Sequence, residues 1–165
     1  MTQDDGQTRA RAAFEAAGIP VAITRHGPVR SLAEAAAARG VEPRDIVKTL
    51  VVRLADNDFR FVLVPGDREI GWPKLRAALG VNRMSMPDAA TAKAVTGYER
   101  GTITPFGATH PWPVIADATV VGRLISIGAG VHGVAATVEG SDVVRALDAQ
   151  VADVTDPVDP ASPVR

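Results

Sequence analysis

The stretch Val47-Lys48-Thr49-Leu50-Val51-Val52 decides how the rest of the sequence is interpreted. Its β-branched and aliphatic residues predict a buried strand. Lysine is one of the residue types least often fully buried, so Lys48 needs an explanation at this position. On these six residues alone, the favoured explanation is a strand-end lysine whose ammonium group reaches water. A functional lysine becomes the better interpretation only when the glycine-rich stretches further along the chain are added.

The same stretch opens a predicted β-hairpin. Residues 47–54 and 59–65 are rich in strand-forming residues, and Asp56-Asn57-Asp58 between them is typical of a turn. Further short strands are expected at 21–24, 81–86, 114–116, 124–127 and 134–138.

Helix signals lie on both sides of the hairpin. Thr8 can cap a helix that ends at Gly18. Ser31-Leu32-Ala33-Glu34 is a capping-box pattern that opens an alanine-rich helix, which Gly40 closes. We expect three more helices, begun by Pro73, by Asp88 and by a capping Ser141, over 73–79, 88–95 and 141–147.

The alternation of short strands and short helices predicts an α+β fold rather than a doubly wound parallel sheet. We expect a mixed, mostly antiparallel, curved or barrel-like sheet of about six to seven strands with helices packed outside. A length of 165 residues suits a single domain, which we place at residues 8–154, with flexible tails at 1–7 and 155–165.

Composition excludes several kinds of chemistry. The chain has no cysteine, which removes disulfides, thiolate nucleophiles and cysteine-bound zinc. His26, His110 and His132 share no metal-ligand spacing, so neither a metal site nor a cofactor is expected. The net charge of −1 gives no global field to attract a polyanion. The basic residues Arg39, Arg44, Arg53, Arg60, Arg68 and Lys74 are dispersed, and a solvated surface explains them.

The sequence also favours a cytoplasmic location. No apolar run approaches the roughly 18 residues of a membrane span. Residues 1–8 are polar and lack an apolar signal region. Contact with a membrane is therefore not expected.

Two glycine-rich stretches could contact a ligand. Gly128-Ala129-Gly130-Val131-His132-Gly133 lies between two predicted strands, where glycine lets a ligand approach the backbone closely. Taken alone, it is better explained as a plain hairpin turn. Residues 96–107 form a long aperiodic segment, which is either a surface connection or a functional loop.

Other single residues have simpler explanations. Asp117 follows a predicted strand and is more easily explained as a solvated strand-end residue than as a site carboxylate. Trp112, between two prolines, is expected to be a packing anchor. A Gly-x-Ser-x-Gly motif is absent from the sequence.

Taken together, these stretches resemble the YbaK/prolyl-tRNA-synthetase-associated editing domains, which are aminoacyl-tRNA deacylases. The resemblance runs in order over residues 8–153. Each motif alone is weak, but their shared order is fairly specific. The matching stretches are 26–29 with the capped helix after it, 47–52, 66–70, 96–107 and 128–130.

The resemblance implies hydrolysis of the ester that joins a wrong amino acid to the 3′ end of a tRNA. The lysine that the family requires falls on Lys48. The implied partners are the acceptor end of an aminoacyl-tRNA and, as a second candidate, an aminoacyl-tRNA synthetase; DNA is not expected. The implied substrate-binding residues are Gly97, Tyr98, Thr104, Pro105, Gly128, Ala129, Gly130 and His132.

The chain departs from some YbaK-type members at three positions. Gly128 replaces a serine, Thr24 lies near an expected aromatic hydroxyl, and Ala135 lies near an expected aspartate. Residues flanking the predicted site are mainly small or apolar, so we expect a small uncharged aminoacyl group of the cysteine, alanine or serine type. Two alternatives stay open: a catalytically silent module that binds tRNA or a synthetase, and a hydrolase of another small ester.

Overall fold

The computed structural model describes residues 4–158. We number its five α-helices in chain order: α1 (Asp4–Ala17), α2 (Leu32–Arg39), α3 (Trp72–Leu79), α4 (Ala89–Thr96) and α5 (Gly140–Leu147). The strands within the same residues are β1 (Ala22–Arg25), β2 (Val47–Ala55), β3 (Asp58–Pro65), β4 (Arg68–Ile70), β5 (Val114–Asp117), β6 (Leu124–Gly128), β7 (Val134–Glu139), β8 (Gln150–Ala152) and β9 (Thr155–Pro157). Short 3₁₀ turns lie at Pro43–Asp45 and Ala118–Val120.

These strands form a mixed sheet system, as predicted. The order is β1-β7-β6 in one sheet, β2-β3-β5-β8 in a second and β4-β9 in a third. A parallel bridge between Ile46 and Ser126 sets the start of β2 beside β6, so the two larger sheets meet edge to edge. β5 pairs in parallel with β3 and with β8, and the other strand pairs are antiparallel. The α+β class is confirmed, and the described strands form open sheets rather than a closed barrel.

Helices cover both faces of this system. On one face, α1, α4 and α5 contribute to the largest apolar cluster, together with buried residues such as Phe61 and Ile127. On the other face, α3 packs on Val62 and Val64 through Leu75. α2 packs beside it on Ile46 through Ala35 and Ala36. The sheet is therefore the middle layer of the molecule.

Local signals explain the helix ends. The Ser31 side chain accepts a 3.0 Å hydrogen bond from the Glu34 amide, and Gly40 ends α2 in the left-handed region at φ 72°. Two predicted starts were wrong. α1 already includes Asp4, so Thr8 lies inside the helix, and the residue that caps α5 is Glu139 rather than Ser141.

Several strands differ from the prediction. Residues 81–86 form no strand; Ser85 only bridges Arg53. β4, β8 and β9 were not predicted, because each has three residues and pairs with a distant part of the chain. β9 pairs with β4, so the predicted C-terminal tail starts too early, and its residues 159–165 lie outside the described part. Within residues 4–158, no helix is long and apolar enough to cross a membrane.

Candidate active site

Lys48 belongs to a row of residues that crosses four strands. Thr24 of β1 is opposite Ala135 of β7, and Ala135 is opposite Gly128 of β6. Because Ile46 bridges Ser126 in parallel, the same register two residues further on sets Lys48 level with Gly128. Residues opposite each other in a sheet share a face. We call Lys48, Gly128, Ala135 and Thr24 the Lys48 row.

The row lies on the sheet face that carries α2 and α3. Lys48 is the second residue of β2, near the strand end as predicted, and its side chain is half-buried. Two residues earlier, Ile46 packs under α2, and two residues later, Leu50 packs against the cluster that holds α3. Strand alternation puts all three side chains on the same face. Lys48 thus lies between the areas that the two helices cover.

The two glycine-rich loops meet at one end of this row. The Gly130 amide donates a 3.2 Å hydrogen bond to the carbonyl oxygen of Thr102. A Cβ atom added to Gly128 would lie 3.2 Å from that oxygen and 3.1 Å from the carbonyl oxygen of Ile103. These two hydrogen-bond acceptors therefore lie against Gly128. A side chain at this position would push both oxygens away by a few tenths of an ångström.

A small cavity of about 150 Å³ lies where the same two loops meet α1. Four of the predicted substrate-binding residues line it: Gly97, Tyr98, Gly130 and His132. The other lining residues are Gly6, Glu99, Thr102 and Val131. The His132 ring lies 3.5 Å from the Glu99 carboxylate, and both side chains are more than half exposed.

Lys48 does not line this cavity. Strand alternation is the reason. Gly128 is on the face of Lys48, whereas Ala129 points into the opposite core, where it is fully buried. Thr104 and Pro105 also lie outside the cavity lining. Thr104 is fully buried, and its Oγ1 atom accepts a 3.3 Å hydrogen bond from the Phe106 amide.

Tyr98 supports the loop that carries it. Its hydroxyl donates a 2.8 Å hydrogen bond to the carbonyl oxygen of Phe106, and the guanidinium of Arg9 lies 4.8 Å from its ring centre. Burial raises the pKa of the Tyr98 hydroxyl, so the group stays neutral near pH 7. Tyr98 thus fixes the 98–106 segment in place.

Arg39 was not identified from the sequence, where it was grouped with solvated surface residues. In the structure it is half-buried at the end of α2, and its Nη1 atom donates a 3.3 Å hydrogen bond to Ser126 Oγ. Ser126 precedes Gly128 by two residues, so its side chain is on the face of the Lys48 row. Burial lowers the pKa of Arg39 from its ordinary value, but an arginine stays charged at any physiological pH. No local sequence signal separated it from the other arginines.

Asp117 is buried rather than solvated, which corrects its predicted placement. Its carboxylate accepts hydrogen bonds from Thr119 and a 3.1 Å bond from the Val154 amide. Burial alone would raise the pKa of Asp117, but these hydrogen bonds outweigh it and the pKa is lowered. Asp117 therefore stabilises the junction of β5 with the segment that leads into β9. The predicted packing role of Trp112 is confirmed, because its indole packs on Phe59 and donates to the Val95 carbonyl oxygen.

Potential metal ligands do not converge in the described part of the chain. Among the described side chains, residues 6–158, no three His, Asp or Glu residues form a group that could hold an ion. The Lys48 row itself offers an ammonium group, neighbouring backbone carbonyl oxygens and the Thr24 hydroxyl.

Comparison with known families gives a match over most of the chain. A family model described as the aminoacyl-tRNA editing domain matches residues 26–146. This range includes the Lys48 row, except for Thr24, and both glycine-rich loops.

Individual relatives are of two kinds. A candidate Cys-tRNA(Pro)/Cys-tRNA(Cys) deacylase, EbsC of Enterococcus faecalis, is 28% identical over 131 residues, covering 79% of this chain and 78% of that protein. The proline–tRNA ligase of Pelotomaculum thermopropionicum is 36% identical over 88 residues, covering 53% of this chain. The match spans only 15% of the length of that ligase.

Solved structures share the fold. The crystal structure of a hypothetical protein, APE2540, superposes with a TM-score of 0.82 at 26% identity, covering 90% of this chain and 99% of the other. A candidate trans-editing enzyme for prolyl-tRNA synthetase gives a TM-score of 0.81 at 24% identity, covering 92% of this chain and 97% of that structure.

Proposed function

This chain belongs to the aminoacyl-tRNA editing domain family, and we propose that it hydrolyses the ester of a mischarged tRNA that carries a small uncharged amino acid. The observation that carries the proposal is the position of Lys48. Lys48 is half-buried and its backbone lies level with Gly128, against which the carbonyl oxygens of Thr102 and Ile103 pack. A lysine and two hydrogen-bond acceptors are thereby placed at the same level of the sheet.

These groups complement the charged and hydrogen-bonding groups of an aminoacyl ester. The ester carbonyl becomes negative when it is attacked, and the Lys48 ammonium can stabilise that charge. The α-ammonium group and the ribose hydroxyl are donors, which the carbonyl oxygens of Thr102 and Ile103 can accept. Each group of the substrate thus has a counterpart of opposite character in the site.

The reaction needs no side-chain nucleophile, because an aminoacyl ester is already activated. A held water adds to the ester carbonyl carbon, the bond from that carbon to the ribose oxygen breaks, and the ribose oxygen takes a proton. The products are a free amino acid and an intact tRNA 3′ end. Positioning of water and ester by Lys48 and the loop backbone supplies the rate enhancement.

The relatives refine the substrate. The Enterococcus faecalis relative is named for cysteine on proline and cysteine tRNAs, and the ligase relatives act in proline charging by name. Cysteine, alanine or serine on a proline tRNA is therefore our proposed substrate group. We further propose that the protein contacts the acceptor end of the tRNA, with a synthetase as a second partner, in the cytoplasm.

A deacylation assay tests the proposal. The protein is incubated with proline tRNA charged separately with cysteine, alanine, serine and proline, and free amino acid is measured over time. Release from at least one mischarged tRNA, above the uncatalysed rate, supports a deacylase. Failure to release amino acid from any charged tRNA contradicts it, and failure to bind these tRNAs as well favours a hydrolase of another small ester.

A silent binding module is the second candidate, and the Lys48 row itself favours it. Gly128 supplies no polar side chain where some YbaK-type members carry serine, and neither does Ala135, near which they carry an aspartate. A silent module binds charged tRNA without turnover. The same assay, run together with a binding measurement on the same charged tRNAs, separates the two candidates.

A further inference from the structure

The strongest unassigned feature of the molecule is the guanidinium of Arg39. It has five N–H donors and a permanent charge. Its Nη1 atom is bonded to Ser126 Oγ, while its Nε atom is buried and has no hydrogen-bond partner. No carboxylate forms an ion pair with it among the described side chains, residues 6–158. Buried donors in proteins are normally hydrogen-bonded, so the unpartnered Nε atom indicates that Arg39 has capacity for an anion.

The surroundings of Arg39 do not supply that anion. Asp45, in the 3₁₀ turn after α2, is already close to Arg44 at 4.0 Å and to Arg123 at 3.9 Å. The carbonyl end of α2 favours a cation in its last turn, but it gives Nε no acceptor. Asp45 is thereby engaged by two other arginines and does not form an ion pair with Arg39.

Arg39 is also within reach of the proposed site. Ser126, to which it is bonded, precedes Gly128 by two residues on the same strand face. Two residues of a strand span about 6.6 Å, so Ser126, to which the guanidinium is bonded, lies about that far along the sheet from the level of Lys48. A single nucleotide can bridge such a gap with its 3′ ester at one end and its 5′-phosphate at the other.

We propose that Arg39 binds the phosphate on the 5′ side of the terminal nucleotide, while Lys48 faces the ester. The inference rests on the proposed function for the identity of the ligand, since a phosphodiester is the anion that an acceptor end brings. Arginine suits this role because its planar fork can hold two phosphate oxygens at once. Arg39 is thus a binding residue that sets the position of the ester relative to Lys48.

The test compares two substrates that differ by that phosphate. Wild type and Arg39→Met are assayed on the best aminoacyl-tRNA of the panel and on the same amino acid esterified to adenosine, which has no phosphate. We expect Arg39→Met to lower kcat/KM on tRNA about tenfold and to leave the adenosine ester unchanged. Equal losses on both substrates, or no loss on either, would overturn the proposal. Arg145→Met is the control, because Arg145 is an exposed arginine on α5, on the other sheet face.

A binding measurement keeps the inference separate from catalysis. A labelled CCA trinucleotide is titrated with each protein at several salt concentrations. Loss of one phosphate contact should weaken binding about tenfold and reduce the slope of log K against log salt by about 0.7. If wild type hydrolyses no ester but shows this Arg39-dependent binding, the proposed function fails while the phosphate site stands. If the wild-type and Arg39→Met proteins bind the trinucleotide equally, the site is refuted.

A second variant distinguishes the loss of the guanidinium from a loss of the fold. Arg39→Lys keeps the charge and loses the fork, so its salt slope should match wild type while its affinity is intermediate. Thermal melting of each variant is recorded first. A lysine variant that melts like wild type yet has the salt slope of Arg39→Met would also count against the proposal.

Discussion

Gly128 of β6 lies directly opposite Ala135 of β7, in the row that ends at Lys48. Thr24 extends the same row on the other side of Ala135. The positions at which this chain departs from some YbaK-type members are therefore neighbours in space, although they are far apart in sequence. Such clustering is expected when several positions contact one part of a substrate. We interpret the three departures as one change in the site.

Removal of the Lys48 side chain should abolish deacylation and leave the fold intact. The side chain is only half-buried, so Lys48→Ala removes a charge from the site without opening a fully enclosed cavity. We expect at least a 100-fold loss in kcat/KM, in the range seen when one oxyanion-stabilising donor is removed. Amino-acid release from the preferred charged tRNA is the measurement.

The control for this variant is Lys74→Ala. Lys74 is a lysine on α3 that pairs with Asp153 and Asp156, and it should keep full activity. An active Lys48→Ala protein would refute the proposed mechanism. A Lys48→Ala protein that simply unfolds would instead show that the lysine is structural.

A side chain at Gly128 should interfere with the site. In Gly128→Ser, the new Cβ atom would lie 3.1 Å from the Ile103 carbonyl oxygen and 3.2 Å from that of Thr102, so both must shift by a few tenths of an ångström. We expect a drop in kcat/KM of about tenfold with a loss of about 1 kcal/mol in unfolding free energy. Steady-state kinetics and urea unfolding check both numbers.

The control for the Gly128→Ser variant is Gly122→Ser. Gly122 has open space around its Cβ position but a φ of 84°, so its cost is backbone strain alone, remote from Lys48. Gly122→Ser should lose some stability and no activity. Should Gly128→Ser match wild type in kcat/KM, the Thr102 and Ile103 carbonyl oxygens would not be positioning the substrate.

Asp117 should stabilise the fold in a pH-dependent way. Its hydrogen bonds hold the folded-state pKa below the ordinary value near 3.9, so its contribution is fully present above about pH 4. The contribution is lost as pH falls through the folded-state pKa. Asp117→Asn should therefore cost about 1–3 kcal/mol at pH 7, and the gap to wild type should narrow below pH 4.

Urea unfolding at pH 7, 5 and 3.5 measures this gap. Asp56→Asn is the matched control, because the Asp56 side chain is 89% exposed and pairs only with Arg53 at the hairpin turn. It should change stability little at any pH. A constant difference between wild type and Asp117→Asn from pH 7 to 3.5 would show that the Asp117 charge does not contribute.

The sequence predicts those parts of the fold that rest on local signals. Ser31 and Glu34 are three residues apart, and the Asp56-Asn57-Asp58 turn is contiguous, so α2 and the β2–β3 hairpin could be located. β4 and β9 could not, because neighbouring residues do not reveal that Ile70 pairs with Thr155. Three residues are too few for a periodic pattern.

The candidate site also contains one part that local sequence predicts and other parts that depend on distant residues. Lys48 could be proposed as the site lysine because its flanking residues resemble a family motif. The row could not be predicted, since it depends on the Ile46–Ser126 bridge across 80 residues of chain. Arg39 was missed because only the packing of α2 on β6 distinguishes it from a surface arginine.

Binding of tRNA should be modest and sensitive to salt. The net charge of −1 provides no global attraction, so affinity must come from a few cations such as Lys48 and Arg39. One phosphate contact, that of Arg39, on a single-stranded 3′ end gives a slope of log K against log salt of about −0.7. Titration of tRNA with and without its terminal CCA at 50–200 mM salt measures it. Equal binding of both tRNAs, or a slope near zero, would contradict recognition at the acceptor end.

The aminoacyl group should be small and uncharged. The Lys48 row offers no carboxylate, and its one cation is assigned to the ester, so a charged amino-acid side chain has no partner there. A pocket also excludes larger groups more readily than it rejects smaller ones. We therefore expect alanyl, seryl or cysteinyl esters to be cleaved at least tenfold faster than aspartyl, lysyl or phenylalanyl esters on the same tRNA. Competition in one mixture, followed by amino-acid analysis, gives the kcat/KM ratios without differences in enzyme concentration. A preference for the charged or aromatic ester would refute the small-substrate interpretation, even if deacylation itself were observed.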